Sequence, residues 1–185
     1  MKKQSIKSHL ARYSIVQKRK TTINHAFASA IAPVDDYKEA DLDVGLRLLG
    51  QPPDGELVCV YCGLVAETWD HVVGLVEGAN LRGYGHQLGN LVPCCRKCNS
   101  AKGAKDWRDF LREKITEQTA FESTRESIRN YIDRFAVKVD LEKMEEKCPE
   151  DWKRYCEIKN QIFELMEEAD GIAYRLRDAV LSKKS

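Results

Sequence analysis

The chain has 185 residues, of which 43% are apolar and 32% charged, with a formal net charge of +1. That balance fits a soluble globular protein of one domain with appendages. No apolar run reaches the roughly 18 residues a membrane-spanning helix needs, and no apolar segment follows the basic N-terminus as a secretory signal would require.

Net charge this close to neutral says little about polyanions, but its distribution says more. Residues 1–20 carry seven Lys or Arg and no acid, residues 82–108 carry six bases against Asp106 alone, and residues 140–170 carry eleven acids against five bases. This pattern predicts one face for a polyanion and another that is solvated or meets a partner. The basic arm 1–20 suits a DNA backbone or solvent equally well.

In chain order, Thr21-Thr22 predicts the start of a short helix through Ile23, Phe27 and Ile31, ended by Pro33. Asp35-Asp36 opens a second amphipathic helix through Leu42, Leu46 and Leu49, stopped by Gly50 and Pro52-Pro53. Both read first as core-covering helices. Residues 57–61 and 67–73 read as strands. The glycines at 74, 78, 83, 85 and 89 make 74–90 a loop, and a helix from about Cys95 carries Trp107, Phe110 and Leu111. Ser123-x-x-Glu126 reads as a capping box ahead of Ile128, Tyr131, Ile132 and Phe135. Pro149 opens a long helix whose apolar stripe runs from Trp152 and Tyr155 to Leu176 and Val180. That stripe fits packing on the N-terminal helices, a homodimer seam, or the docking of a regulatory partner.

The densest chemical signal lies between the two basic regions. Cys59-x-x-Cys62 and Cys95-x-x-Cys98 are separated by 32 residues. Paired CxxC motifs at this distance predict a structural zinc site of four thiolates. Cys94, Cys148 and Cys156 are left over, and Cys94 reads as a small core residue beside ligand Cys95, with register exchange as the alternative. An odd number of thiols with metal-type spacing favours a reducing cytoplasm.

Asp70-His71, Asn90 and Asn99 lie inside or beside this clamp. Phosphodiester hydrolysis needs a base for water, and neutral imidazole suits that task near pH 7, so His71 is the expected base. It also needs charge neutralisation at the phosphoryl oxygens and the leaving oxygen. A hard cation, Mg²⁺ or Mn²⁺, prefers oxygen ligands, here the Asp70 carboxylate and the Asn99 carbonyl. Strand alternation would send Asp70 and His71 to opposite faces. Asn90 can hold a backbone or the imidazole in place. Arg96, Lys97, Lys102 and Lys105 supply positive charge for a nucleic-acid backbone. His86 reads as a solvated loop residue, with DNA contact or an auxiliary role as alternatives. His9 and His25 fall outside the constellation.

Trp69-Asp70-His71-Val72-Val73, followed by the run Gly89-Asn90-Leu91-Val92-Pro93-Cys94-Cys95-Arg96-Lys97-Cys98-Asn99-Ser100-Ala101-Lys102-Gly103, resembles the HNH endonuclease family. The resemblance covers about 57–108. It implies a ββα-metal core with a structural zinc, His71 as general base, Asn90 orienting it, and Asp70 and Asn99 on the catalytic metal. It also implies 5′-phosphate and 3′-hydroxyl products from double-stranded DNA, in a setting such as bacterial restriction or anti-phage defence. Asn99 replaces the usual histidine of the last motif position, and Gly74 stands where a proline is common.

The expected fold is therefore α+β and mostly helical. A basic arm and helices would fill 1–56, the nuclease core 57–112 and a helical region 113–185. The alternative function is a zinc-stabilised nucleic-acid-binding or scaffold module without catalysis.

Overall fold

The computed structural model describes residue 3 and residues 6–181. The elements in order are α1 (Ile6–Leu10), α2 (Ile15–Ala30), α3 (Glu39–Leu48), β1 (Thr68–His71), β2 (Val76–Glu77), β3 (Asn80–Leu81), a 3-10 turn (Leu88–Asn90) and β4 (Leu91–Cys94). Five helices follow, α4 (Arg96–Lys102), α5 (Trp107–Lys114), α6 (Gln118–Phe135), α7 (Leu141–Lys147) and α8 (Pro149–Leu181). The fold is α+β and mostly helical, as expected, and no described helix is long and apolar enough to cross a membrane.

The chain forms two compact units. One joins the residues up to Phe27 with those from Met144 onward, and the other is Ala28–Lys143. In the first unit the terminal helices hold each other. Asp170 accepts hydrogen bonds from Ser14 Oγ and from the backbone N–H groups of Ile15 and Val16, at 2.8, 2.7 and 3.2 Å. It thereby satisfies orphan donors at the start of α2. This cap, borrowed from α8, is why α2 starts at Ile15 and not at the expected Thr21-Thr22. At the other end Tyr155 Oη donates to the Phe27 carbonyl at 2.7 Å, with the two rings 5.0 Å apart.

The second unit holds the core. Tyr61, Val72, Val92, Trp107, Phe110, Leu111, Ile128 and Tyr131 are buried around Cys59, Cys94, Cys95 and Cys98. β1 pairs antiparallel with β4 in the register Thr68↔Cys94, Trp69↔Pro93, Asp70↔Val92, His71↔Leu91. The partner of β1 is thus 91–94 and not 57–61. The latter segment forms the isolated bridge Val58↔Val65 around the cysteine knuckle, and Val60 N–H donates to the Pro93 carbonyl of β4 at 3.1 Å. α4 follows β4 with Cys95 between them, while β2, β3 and the 3-10 turn separate β1 from β4.

Other boundaries also move. The helix expected to run from Cys95 through Trp107 breaks into α4 and α5 at Gly103, whose φ is +49°, and Asp106 caps α5 at the N–H of Arg108. α3 starts at Glu39 rather than at Asp35-Asp36. α6 starts at Gln118, capped by Glu117 at Thr119 and Ala120, and the Ser123–Glu126 box falls inside it. The loop 74–90 carries the small β2–β3 hairpin and is held close to its neighbours. A Cβ on Gly85 would stand 2.1 Å from the Pro33 carbonyl oxygen, so only glycine lets these backbones meet.

Candidate metal centre and histidine site

The four cysteines of the two CxxC motifs come together. Their sulfur atoms all lie within 4.8 Å of one another, and Cys62 Sγ is 3.7 Å from Cys95 Sγ. Tetrahedral zinc with Zn–S near 2.3 Å sets sulfurs about 3.8 Å apart, so the donor set fits. Cys59 and Cys62 sit on a tight turn in which Gly63 N–H donates to the Cys59 carbonyl at 2.8 Å and Gly63 takes φ +71°. Cys95 caps α4, and its sulfur accepts from the Cys98 N–H at 3.4 Å. Such N–H groups favour thiolate, the ligating form.

Cys94 is the fifth thiol of the cluster's surroundings, fully buried, with its sulfur 3.8 Å from that of Cys59. Its hydrogen bond, helped by the backbone N–H groups of Cys95, Tyr61 and Cys62, pulls the Cys59 thiol down to about 4. Cys94 is itself pushed up by the same contact and by burial, and the group of sulfurs within 4.8 Å of one another is Cys59, Cys62, Cys95 and Cys98. Burial and the neighbouring sulfurs push Cys98 up as well. Thiolates this crowded need a cation among them.

Asp70 and His71 diverge as strand alternation requires, but Asp70 does not meet open solvent. It is 6% exposed, and its Oδ2 accepts from Tyr61 Oη at 3.0 Å. Lys102 Nζ lies 3.3 Å from Oδ1 and 3.0 Å from Oδ2, and also donates to the His71 carbonyl at 2.7 Å. Lys102 is 2% exposed, so it cannot serve as the expected phosphate contact. A carboxylate turned into the core requires a buried counter-charge, and α4 lies across β1 so that Lys102 supplies it. Desolvation raises the Asp70 carboxyl above the ordinary range, and the Lys102 and Tyr61 hydrogen bonds only partly oppose it. As arranged, Asp70 is therefore an internal ion-pair partner, and the expected pairing of Asp70 with Asn99 on a catalytic Mg²⁺ or Mn²⁺ does not fit. Half-buried Asn99 uses its amide N–H₂ on the strand, 3.3 Å from the Trp69 carbonyl and 3.5 Å from Thr68 Oγ1.

Asn90 acts on backbone, not on the imidazole. It is fully buried. Its Oδ1 accepts from Val73 N–H at 2.8 Å, and its Nδ2 donates to the carbonyls of Val73 and Gly85, each at 3.0 Å. It thus ties the segment just after His71 to the segment just before His86. Asn90→Ala is expected to cost about 3 kcal/mol, because it strands one buried N–H and two carbonyls. Urea midpoints at unchanged zinc content check this.

The result of that tie is a pair of imidazoles. His71 Nε2 and His86 Nδ1 are 3.1 Å apart, with ring centroids at 4.9 Å and planes at 70°. His86 is exposed on the loop 74–90, in keeping with a solvated residue, and what the loop pattern did not reveal is its contact with His71. The available signal was a second histidine after Gly85, inside the stretch closed by the two CxxC motifs and five residues before Asn90-Leu91.

His86 and Trp69 also border a cavity of about 590 Å³, whose charged walls are Asp35, Asp36 and Asp41 against Lys38 and Arg134. The expected basic contacts are surface groups. Arg96 stands 3.7 Å from Glu67, Lys105 stands 2.7 Å from Glu113, and Lys97 is exposed on the first turn of α4. A phosphate competes with those carboxylates for Arg96 and Lys105.

No protein-family model, curated protein or solved structure matches this chain.

Proposed function

We propose that this protein is an endonuclease of the HNH type that hydrolyses DNA phosphodiester bonds, with His71 as the base. The observation that carries the reading is half-buried His71 at the end of β1, held through Asn90 and placed beside a unit pinned by four cysteine sulfurs within 4.8 Å of one another. Zinc in that cluster would be structural. It would fix α4 against β1 and leave the chemistry to side chains.

In the reaction, a water oxygen bonds to phosphorus and gives one proton to His71. The bond from phosphorus to the 3′ sugar oxygen breaks, and that oxygen takes up a proton. The products are a 5′-phosphate and a 3′-hydroxyl. Lys97 and Arg96, exposed on α4, would meet the phosphate backbone. The resemblance also implies a catalytic Mg²⁺ or Mn²⁺. Lys102 and Tyr61 occupy the Asp70 oxygens, so Asp70 as placed does not offer that ion a ligand.

The closed Asp70–Lys102 pair favours a second reading, a zinc-stabilised nucleic-acid-binding module that does not cleave. Supercoiled plasmid incubated with zinc-loaded protein and Mg²⁺ or Mn²⁺, against an EDTA control, separates the two. Nicked or linear DNA with 5′-phosphate ends is the expected result. Binding without cleavage on duplex DNA, single-stranded DNA and RNA would replace the nuclease by the binding module.

The exposed residues Ile158, Leu165 and Ile172, spaced by seven on α8, support a homodimer seam.

A further inference from the structure

We propose that the cavity bordered by Trp69 and His86 is a subsite for one unpaired nucleobase that carries an amino group. The inference rests on the reading of the protein as a nuclease and adds where a base of its substrate would sit. The cavity, about 590 Å³, has the size of a small-molecule site. Every residue that lines it belongs to the Ala28–Lys143 unit. Trp69 and His71 stand at alternate positions of β1, so they share the face opposite buried Asp70. A ring held against Trp69 would therefore lie next to the histidine pair, as a base swung out of the stack must to bring its phosphate to the site.

Two features of the lining select a base. The first is aromatic surface left in solvent. Trp69 is 42% exposed and Tyr37 78%. Single apolar side chains at a surface are ordinary, but Trp69, Tyr37 and Val34, all exposed, line one concave site. Flat aromatic faces of this kind stack on any base. The second feature is the set of hydrogen-bonding groups. As carboxylates, Asp35, Asp36 and Asp41 only accept, and Asp35 is held at the wall by the Leu88 N–H, which donates to its Oδ2 at 2.7 Å. Such acceptors suit the amino groups of guanine, cytosine and adenine, whereas thymine has none to give. Lys38 and Arg134 line the same cavity and supply donors for ring nitrogens and carbonyl oxygens. They also disfavour an organic cation, the other ligand that aromatic rings with carboxylates would hold.

The test needs no cleavage. Zinc-loaded protein without Mg²⁺ or Mn²⁺ is titrated with end-labelled single-stranded oligothymidylate of about 12 nucleotides, or with the same strand carrying one central guanine, cytosine or adenine. Fluorescence anisotropy reads binding. The strands with an amino-bearing base should bind about 10-fold tighter than oligothymidylate. Trp69→Ala should weaken their binding about 5- to 100-fold at unchanged zinc content and melting temperature, and Trp69→Tyr, which keeps a stacking face, should stay near wild type. Asp36→Asn with Asp41→Asn places amide donors beside the acceptors, so it should level the preference. That preference is a ratio between strands, so the general attraction gained by removing two negative charges cancels. Equal or absent binding of all four strands, wild-type affinity in Trp69→Ala, or a preference unchanged by the aspartate variants overturns the proposal even if the protein cuts DNA. A Trp69-dependent preference in a protein that cuts nothing supports the subsite and places the failure in the nuclease reading instead.

Discussion

Removing the metal from the four-cysteine cluster is expected to unfold the Ala28–Lys143 unit, not merely loosen it. The β-structure of this unit is slight, with β1 and β4 four residues each and β2 and β3 two each. Cys59, Cys95 and Cys98 are buried among Tyr61, Val92 and Trp107, so the cluster belongs to the hydrophobic core. Structural zinc contributes about 10–16 kcal/mol of binding free energy in small zinc folds, as much as the whole stability of an ordinary domain. Without the ion, sulfurs within 4.8 Å of one another repel as thiolates or protonate and lose their cross-link. A strong chelator, or Cys98→Ser, should collapse the thermal transition and expose Trp107, which is 3% accessible in the folded chain. Circular dichroism and tryptophan emission read both changes. A metal-free protein that melts near the temperature of the loaded one would show that the cluster does not carry the fold.

Lys102→Met should be nearly as damaging, for a different reason. It leaves the buried Asp70 carboxylate with the Tyr61 hydroxyl but no counter-charge from Lys102, and removes the donor to the His71 carbonyl. Breaking one side of a buried pair costs about 3–5 kcal/mol, or roughly 6–20 °C of melting temperature for a chain of this size. Replacing both charges, as in Asp70→Asn with Lys102→Met, should recover a large part of that loss, since a neutral amide still accepts from Tyr61. The defect should also depend on pH. The native carboxyl is already raised by burial. Its protonated form therefore contributes stability below the ordinary carboxylate range, which is lost as pH rises through the raised native value. Without Lys102 the ionised form is worse still, so the gap between variant and wild type should be widest near neutral pH and narrow as pH falls. Urea titrations at several pH values check this. Equal stabilities for the single and double variants would contradict an essential Asp70–Lys102 pair.

Much of the site was legible because spacing carries it. Two CxxC motifs state their chemistry without tertiary information, and the helix after Cys95 and the strand around Asp70-His71 follow from local pattern. What was not legible depends on who meets whom across the fold. Segment 57–61 has the composition of a strand, yet its backbone closes the cysteine knuckle, and β1 pairs with β4. The start of α2 is set by Asp170, more than 150 residues away in sequence, a cap that local sequence does not contain. Lys102 looks like a phosphate contact until α4 is laid across β1, where the inward turn of Asp70 claims it. His86 gains its place only because Asn90 reaches Val73 and Gly85 together. Local motifs fix ligands and turns, whereas the assignment of charges to core or surface is decided by packing.

The most direct test of the central claim compares single-turnover cleavage of plasmid DNA by wild type and His71→Ala at matched zinc content and melting temperature. His71 lies outside the cysteine cluster and is half-buried, so its loss should leave the fold intact. Removing a general base lowers the rate by about 10²–10⁴-fold, and that is the result this account predicts. A folded, zinc-loaded His71→Ala protein that cuts as fast as the wild type would contradict it.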